Sequence, residues 1–272
     1  MKWKRIWALV EKDIKDYMKS KYILIAIILL PIALGALVPV QGLLYSGSFK
    51  TGETYDSKFG QFFDNILSKT VNGWDTFTNE AKAKVTLGYI MILFVAMMPI
   101  IMTSVIASET IAGERERKTM EALLASPIRE TEIVTAKIIS SFIPSILATI
   151  IAIFSYCIVM DIILFPHVGR IFFPDILVTM ILLIISPLVT IIAVEALIMI
   201  STKVATVRDA NQLGGILLIP LLAIIFGASS LYLFNSILGL ILTPIILALI
   251  AGLLFKISTN LFVREKALVK FL

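Results

Sequence analysis

The sequence predicts an all-α integral membrane protein with six transmembrane helices. Of its 272 residues, 58% are hydrophobic and only 16% are charged, and the mean hydropathy is +0.97. A soluble domain has about 45–50% apolar and about 25% charged residues, so this chain is too apolar for a water-soluble fold. Six apolar runs are each long enough, at about 1.5 Å per helical residue, to cross a hydrocarbon core about 30 Å thick.

The predicted spans cover residues 22–44, 87–107, 138–163, 176–200, 213–233 and 237–256. Only Phe234, Asn235 and Ser236 separate the last two, so a re-entrant hairpin is the alternative for residues 213–256. The first run follows 21 polar-rich residues and has no small-residue cleavage site, so we expect it to remain as a membrane anchor. Every span contains proline, which predicts kinks, although proline is common in membrane helices generally. We expect residues 1–272 to form a single transmembrane domain.

Lysine and arginine are concentrated on one side of these spans. The N-terminal segment carries seven, the loop between spans 2 and 3 carries five, the loop between spans 4 and 5 carries two and the C-terminal tail carries four, whereas the opposite side carries six. Because cationic loops are retained in the cytoplasm, both termini are predicted to be cytoplasmic. The net charge of +5 then reflects topology and attraction to anionic lipid headgroups. No basic stripe with interleaved aromatic residues indicates nucleic-acid binding.

Residues 1–21 predict an amphipathic helix in the inner membrane interface. Its apolar stripe recurs at steps of three and four residues and consists of Trp3, Trp7, Val10, Ile14 and Tyr17. Charged side chains fill the other face, and the two tryptophans favour a position at headgroup depth. The alternative is a solvated cytoplasmic helix.

Residues 45–86 form the predicted external loop between spans 1 and 2. The segment is polar and contains several glycines, asparagines and aspartates that favour turns. At about 42 residues it is too short to build a core of its own. Phe59, Phe62, Phe63 and Ile66 have helical spacing and predict one short helix on the membrane surface.

Residues 108–137 form the predicted cytoplasmic loop between spans 2 and 3, and they contain a short amphipathic helix from Gly113 to Pro127. The water-facing candidates are Glu114, Arg115, Glu116, Arg117, Lys118 and Glu121. The apolar stripe consists of Met120, Leu123 and Leu124. Proline ends this helix, and a new one leads into the third span. A surface helix held between two membrane helices favours a docking role, whereas the alternative is a solvated charged connector.

This loop resembles the cytoplasmic signature of the ATP-binding-cassette type-2 permeases. The matching residues are Glu109, Gly113, Glu114, Glu116, Thr119, Met120, Glu121, Leu123, Leu124, Pro127, Ile128, Glu132, Ile133 and Lys137. A weaker match covers 206–212 in the loop between spans 4 and 5. Arg129 departs from the family pattern, which often has a serine or threonine there. The resemblance covers the whole chain in topology and about 40 residues in motif.

The resemblance implies the permease subunit of an exporter in the plasma membrane. It implies that two permease protomers pair and that a separate P-loop ATPase subunit, which binds ATP and Mg, docks on this loop as the coupling helix. The residues expected to dock are Glu114, Glu116, Thr119, Met120, Glu121, Leu123, Leu124 and Pro127. Lipids, hydrophobic drugs, peptides and sodium all remain open as substrates. We expect Glu114→Ala or Leu124→Asp to uncouple ATP hydrolysis from transport.

Glu195 is the one acidic residue deep inside a predicted span. A charge at that depth costs about 2.5 to 3.5 kcal/mol on insertion scales, so a functional site is the default hypothesis. A functional Glu195 is either a latch between helices or a cation or proton site on the transport path. The alternatives are that it reaches the inner interface or pairs with a cytoplasmic-end lysine or arginine.

The sequence contains none of the usual catalytic or cofactor motifs. It has no Gly-x-x-x-x-Gly-Lys-Ser/Thr phosphate loop, no His-Glu-x-x-His and no Gly-x-Ser-x-Gly. We therefore expect no enzyme activity and no cofactor or metal bound by this chain. The competing classes are a non-transporting membrane scaffold for an ATPase and an intramembrane hydrolase.

Overall fold

The computed structural model describes residues 3–46, 64, 67–68, 71, 73–119, 123, 128–201, 204, 206–209, 212–213, 215, 223 and 236–261, and these residues are almost entirely helical. Most of the predicted fifth span at 213–233 lies outside them, and so does the choice between two spans and a re-entrant hairpin. Most of the external loop at 45–86, with its predicted surface helix, and the end of the C-terminal tail also lie outside them.

The helices of the described part follow one another in chain order. They are α1 (Trp3–Lys19), α2 (Lys21–Ile32), α3 (Val38–Ser46), α4 (Asn79–Val95), α5 (Met98–Ser108), α6 (Glu114–Glu116), α7 (Glu130–Val168), α8 (Ile176–Met180), α9 (Ser186–Ser201) and α10 (Ser236–Leu261). Wider π-helical turns occupy Ala33–Leu37, Glu109–Gly113 and Ile181–Ile185, and a 3₁₀ turn occupies Trp74–Thr76.

Helix starts follow from local capping. The Ser20 hydroxyl accepts a hydrogen bond from the Ile23 N–H at 3.5 Å and separates α1 from α2. Thr78 caps α4 in the same way through the Ala81 N–H at 3.3 Å. At the start of α7, Glu132 Oε2 accepts from the Arg129 N–H at 3.3 Å, which is half of a capping box without a serine or threonine. The polar residues between apolar runs therefore set these helix boundaries.

Three helical segments are long and apolar enough to cross a membrane, namely Lys21–Gly42, Thr131–Val168 and Val178–Ile200. They coincide with the predicted spans 22–44, 138–163 and 176–200. The predicted span 87–107 is divided between α4 and α5 by a turn at residues 96–97, and 237–256 lies within α10. At 39 residues α7 is about 58 Å long, so it extends well beyond a hydrocarbon core about 30 Å thick.

Helix α7 lies at the centre of the described fold. Helices α1, α2, α4, α5 and α9 all pack against it, and α5 also packs along α9. The main apolar core contains Ile92, Met102, Ile153, Tyr156 and Ile192, each at most 3% exposed. The chain is therefore an all-α membrane protein built around one long helix.

Two of the π-helical turns lie where a proline would otherwise disturb a helix. Pro39 and Pro187 each follow a π-helical turn, and the residues four positions before them, Gly35 and Leu183, lie inside those turns. Proline lacks an N–H and its ring crowds the carbonyl of residue i−4, so a wider turn at that point relieves the conflict. The prolines therefore coincide with local widening of the helix.

Helix α1 forms where it was predicted, but its protein-facing stripe is different. Its buried residues are Ile6, Leu9, Val10, Asp13 and Tyr17, whereas Trp3 and Trp7 are 64% and 56% exposed. The buried stripe shares Val10 and Tyr17 with the predicted apolar stripe but leaves Trp3 and Trp7 outside it, and the position of α1 in the membrane interface stays a prediction. The exposed tryptophans remain available to the membrane interface, and the buried stripe contains an acid.

The C-terminal end of α7 is fixed by Asp161 and an aromatic cluster. Asp161 Oδ1 accepts hydrogen bonds from the backbone N–H groups of Phe172 and Phe173 at 2.8 and 2.9 Å. The ring of Phe173 makes edge-to-face contacts with Tyr89 and Tyr156 at centroid distances of 5.8 and 5.5 Å. One carboxylate therefore holds the turn between α7 and α8 against α4.

We expect Asp161→Ala to lower the free energy of unfolding by about 1–3 kcal/mol, because two backbone N–H groups lose a charged acceptor. Thermal unfolding of the detergent-solubilised protein, followed by tryptophan fluorescence, measures the change. Asp161→Asn keeps one acceptor oxygen and should lose less. Equal unfolding midpoints for Asp161→Ala and wild type would contradict this role.

Candidate functional site

A buried cluster of charged side chains joins α1, α6 and α7. The Lys137 ammonium donates to Asp13 Oδ1 and Oδ2 at 3.0 and 2.9 Å and lies 3.0 Å from Glu114 Oε1. Lys12 also donates to Glu114 Oε1 at 2.5 Å. The side chains of Lys137, Asp13 and Glu114 are 1%, 5% and 4% exposed. One lysine thus binds two carboxylates that lie 101 residues apart in the chain.

An apolar cluster borders these charges on one side. It joins α1, the first turns of α7 and the end of α9, and its buried members are Ile6, Leu9, Val10, Ile133, Val134, Ala136, Ile138, Val194 and Ile198. Removing one partner from a buried ion pair leaves a charge without compensation and costs several kcal/mol. Charge pairing therefore joins α1, α6 and α7, and the apolar cluster packs α9 against α1 and α7.

The lysines keep Glu114 ionised despite its burial. Burial alone would raise the pKa of Glu114, but the ammonium groups of Lys137 and Lys12 outweigh it and lower that pKa below its usual value of 4.5. Glu114 Oε2 has no hydrogen-bond partner among the described residues. It lines a cavity of about 120 Å³ together with Asp16, Glu109 and Arg117. A polar cavity of this size has room for water.

A second set of hydrogen bonds links the same elements. The Tyr17 hydroxyl lies 2.8 Å from Thr110 Oγ1, which lies 3.0 Å from Ser141 Oγ. Burial raises the pKa of Tyr17, so its hydroxyl is neutral and able to donate. Hydrogen bonds of Tyr17, Thr110 and Ser141 therefore join α1, the π-helical turn Glu109–Gly113 and α7, in addition to the buried ion pairs.

The loop that follows α5 contacts the loop that follows α9 through Glu116. Its Oε1 accepts a hydrogen bond from the Val207 N–H at 2.9 Å. The Thr206 hydroxyl accepts from the Asp209 N–H at 3.1 Å and caps the turn that Val207 begins. The segment after α5 is thus linked directly to the segment after α9.

The structure changes the role expected of Glu114. It was predicted to face water and to dock, but it is 3% exposed and is held by Lys137 and Lys12. Its water-facing position is therefore wrong. The π-helical turn Glu109–Gly113 adds one residue to the helical repeat and turns Glu114 towards the protein. Its contacts come instead from Lys12 on α1 and Lys137 on α7.

The other predicted docking residues fall into two groups. Glu116 and Thr119 are exposed, and Leu123 is half-buried against the apolar cluster of α1, α7 and α9. Met120, Glu121, Leu124 and Pro127 lie outside the described residues. The docking role of these residues stays a prediction.

Sequence reasoning missed Asp13, and it matched Lys137 to a motif without assigning it a role. Asp13 lies three residues after Val10 and four before Tyr17, so an acid occupies the middle of the buried stripe of α1. A buried acid needs a partner, so the position of Asp13 within this apolar spacing was the sequence signal for a buried ion pair. The partner itself is 124 residues away and could not be read from the sequence.

Glu195 lies six residues before the end of α9 and is 2% exposed. Among the described residues its Oε2 has no hydrogen-bond partner, and none of their ion pairs involves it. The alternative in which Glu195 reaches the inner interface stays a prediction. Within the described part of the chain, no group of three His, Cys, Asp or Glu side chains is placed to hold a metal ion.

A family model described as "ABC-2 family transporter protein" matches residues 7–239, which include both linked loops and the buried charge cluster. The chain belongs to the ABC-2 transporter family. No curated protein matches it. This ABC-2 protein is a membrane permease subunit of an ABC transporter and a multi-pass protein of the plasma membrane. Family membership implies association with an ABC ATPase subunit, and permeases of this family are generally not catalytic themselves.

Proposed function

We propose that this ABC-2 permease is the membrane subunit of an ATP-driven exporter. In this proposal six spans place both termini in the cytoplasm, and two permease protomers, identical or different, form the transport path. A separate P-loop ATPase subunit binds ATP and Mg and docks on the loop 108–137. The observation that carries the proposal is the buried pairing of Lys137 with Asp13 and Glu114.

This pairing makes the cytoplasmic end of the protein stiff. Lys137 fixes the base of α7 to α1 and to the turn that begins at Glu114. Leu123 packs on the apolar cluster of α1, α7 and α9. A displacement of the loop by a closing ATPase would therefore move α7 and α9 rather than be lost in a flexible connector.

The exposed residues of the loop are assigned to partner contact. Glu116 and Thr119 face outward, and we place Met120, Glu121, Leu124 and Pro127 on the same docking surface from the sequence alone. Glu114 is assigned to holding this surface in place rather than to touching the partner. Glu114→Ala therefore tests the stability of the loop, whereas Leu124→Asp tests docking.

Affinity capture of the tagged chain from its native membranes tests the proposal. We expect a P-loop ATPase to co-purify, its hydrolysis rate to rise in the complex, and ATP to drive export from cells or uptake into inverted vesicles. Capture of an ATPase without any ATP-dependent transport would support the scaffold alternative. Hydrolytic activity of the isolated chain would support an enzyme instead.

We expect Glu116→Ala to weaken coupling between ATP hydrolysis and transport at least several-fold, because the loop after α5 loses its hydrogen bond to the loop after α9. Glu116 is exposed, and a hydrogen bond of this kind contributes only about 0.5–1.5 kcal/mol, so the protein should remain folded. The ratio of substrate moved to ATP hydrolysed in reconstituted vesicles measures coupling.

The matched control is Glu116→Gln, which keeps an acceptor oxygen and removes only the charge. It should retain more coupling than Glu116→Ala if the bond to Val207 matters. Equal loss in both variants would assign Glu116 to charge recognition of the ATPase, and no loss in either would remove it from the coupling path.

A further inference from the structure

Glu195 is an acid in the membrane-embedded core with no compensating charge among the described residues. Its side chain is 2% exposed within the span Val178–Ile200, and its Oε2 has no hydrogen-bond partner in that part of the chain. The buried acids of the cytoplasmic cluster differ from it, because Asp13 and Glu114 both contact Lys137. An ionised carboxylate without a cation is strongly disfavoured at this depth.

A second buried polar group on the neighbouring helix also lacks a partner. Thr103 on α5 is fully buried, and its hydroxyl makes no hydrogen bond to any of the described residues. Other hydroxyls in these helices donate to the carbonyl four residues earlier, as Ser104 does to Ile100 at 3.0 Å and Thr190 does to Ser186 at 2.6 Å. The Thr103 hydroxyl does not make this bond to the carbonyl four residues earlier, so it is available to another group.

Glu195 and Thr103 lie at similar depth on helices that pack together. Helices α5 and α9 are in contact, and the segments that follow them meet at the bond between Glu116 and Val207. The two helices therefore end on the same side of the protein. Glu195 lies six residues before the end of α9 and Thr103 five before the end of α5, which is about 9 and about 7.5 Å.

The elements packed against α9 supply few charged groups that could compensate Glu195. Helix α5 has none, the π-helical turn after it has Glu109, and α10 has Lys256. The charged or titratable residues on α7 are Glu130, Glu132, Lys137, Tyr156, Cys157, Asp161 and His167. Lys137 binds Asp13 and Glu114, and Glu109 lies 3.5 Å from Arg117. None of the described residues forms an ion pair with Glu195.

We propose that Glu195 holds an exchangeable proton in the membrane core. In the described conformation the carboxyl is neutral, because the neutral acid avoids the cost of a buried charge. The proton is released when α5 and α9 separate and water reaches the carboxyl, so proton release accompanies opening of this helix pair. Binding of the proton does not depend on the ATPase or on the direction of transport.

Separation and closure of the α5–α9 pair should then depend on pH. Because the closed packing binds a proton that the open form releases, acidification favours the closed packing and alkaline conditions favour the open one. Replacement by glutamine supplies a permanently neutral side chain of nearly the same shape. Glu195→Gln should therefore fold normally, stay biased towards the closed packing and lose this pH dependence.

Infrared difference spectroscopy of the purified full-length protein in lipid nanodiscs tests the proposal. At neutral pH, wild type minus Glu195→Gln should show the C=O stretch of a protonated carboxylic acid. Glu195→Asp should restore a band of this type, and Glu109→Gln, which removes a partly exposed acid, should not remove it. A difference spectrum with only ionised carboxylate bands would overturn the proposal.

Labelling with dicyclohexylcarbodiimide provides an independent measurement. A protonated carboxyl adds across one C=N bond of this apolar reagent, its proton moves to the reagent nitrogen, and rearrangement gives a stable N-acylurea with no atom lost. Mass spectrometry of the peptide containing Glu195 should show one added carbodiimide, and the rate should fall as pH rises. A labelling rate independent of pH would contradict an exchangeable proton, whatever the outcome of transport assays.

Discussion

Lys137→Met is expected to lower the free energy of unfolding by about 3–5 kcal/mol. Lys137 is 1% exposed and is within 3.0 Å of both Asp13 and Glu114. Its removal leaves the buried Asp13 with the more distant Lys12, 3.7 Å away, as its counter-charge, and Lys12 also pairs with Glu114. The methionine side chain has a similar length, so the loss reports the missing charge rather than a cavity.

Thermal unfolding in detergent micelles and the fraction of protein that reaches the membrane both measure this effect. The matched control is Lys15→Met, which breaks the exposed pair with Glu11 at 2.6 Å and should cost less than about 1 kcal/mol. Adding Asp13→Asn and Glu114→Gln to Lys137→Met removes the uncompensated charges and should recover a large part of the loss. If Lys137→Met unfolds at the same temperature as Lys15→Met, the buried charge cluster does not hold α1, α6 and α7 together.

The helices could be predicted because their signals are local. An apolar run is read directly from the sequence, and Ser20, Thr78 and Pro99 lie at helix boundaries where capping chemistry places them. Pro99 predicted a kink in the span 87–107, but hydropathy gave no sign of the turn at residues 96–97, because a turn between two apolar helices leaves it unchanged. The start of α7 before the third span was predicted from Pro127, and α7 begins at Glu130.

The candidate site could be predicted in position but not in detail. The resemblance directed attention to the loop around Glu114, yet the direction of that side chain depends on a π-helical turn and on a partner in another part of the chain. Lys12 lies 102 residues from Glu114, so the sequence alone could not show the pairing. Glu195 was found because an acid within an apolar run is a local signal, whereas the lack of a partner is a property of the packed helices.

Close approach between the first membrane helix and α7 depends on a glycine. A Cβ atom placed on Gly35, within the π-helical turn Ala33–Leu37, would collide with the Ser155 hydroxyl and with the Ala152 carbonyl oxygen. The carbonyl belongs to the backbone of α7 and cannot move aside as a side-chain end can. Small residues at such crossings let membrane helices pack backbone to backbone. Gly35, Ala152 and Ser155 therefore form one contact surface.

Gly35→Val is expected to destabilise the protein by about 3 kcal/mol, because α2 and α7 must separate to admit the side chain. The matched control is Gly252→Val in α10, where an added Cβ meets nothing within 4 Å and where valine has the better helix propensity. Unfolding temperature in detergent should fall for the first variant and stay unchanged or rise for the second. Gly35→Ala should lie between wild type and Gly35→Val, since even a single methyl meets the Ala152 carbonyl. Similar unfolding temperatures for Gly35→Val and Gly252→Val would show that the first span does not pack this closely on α7.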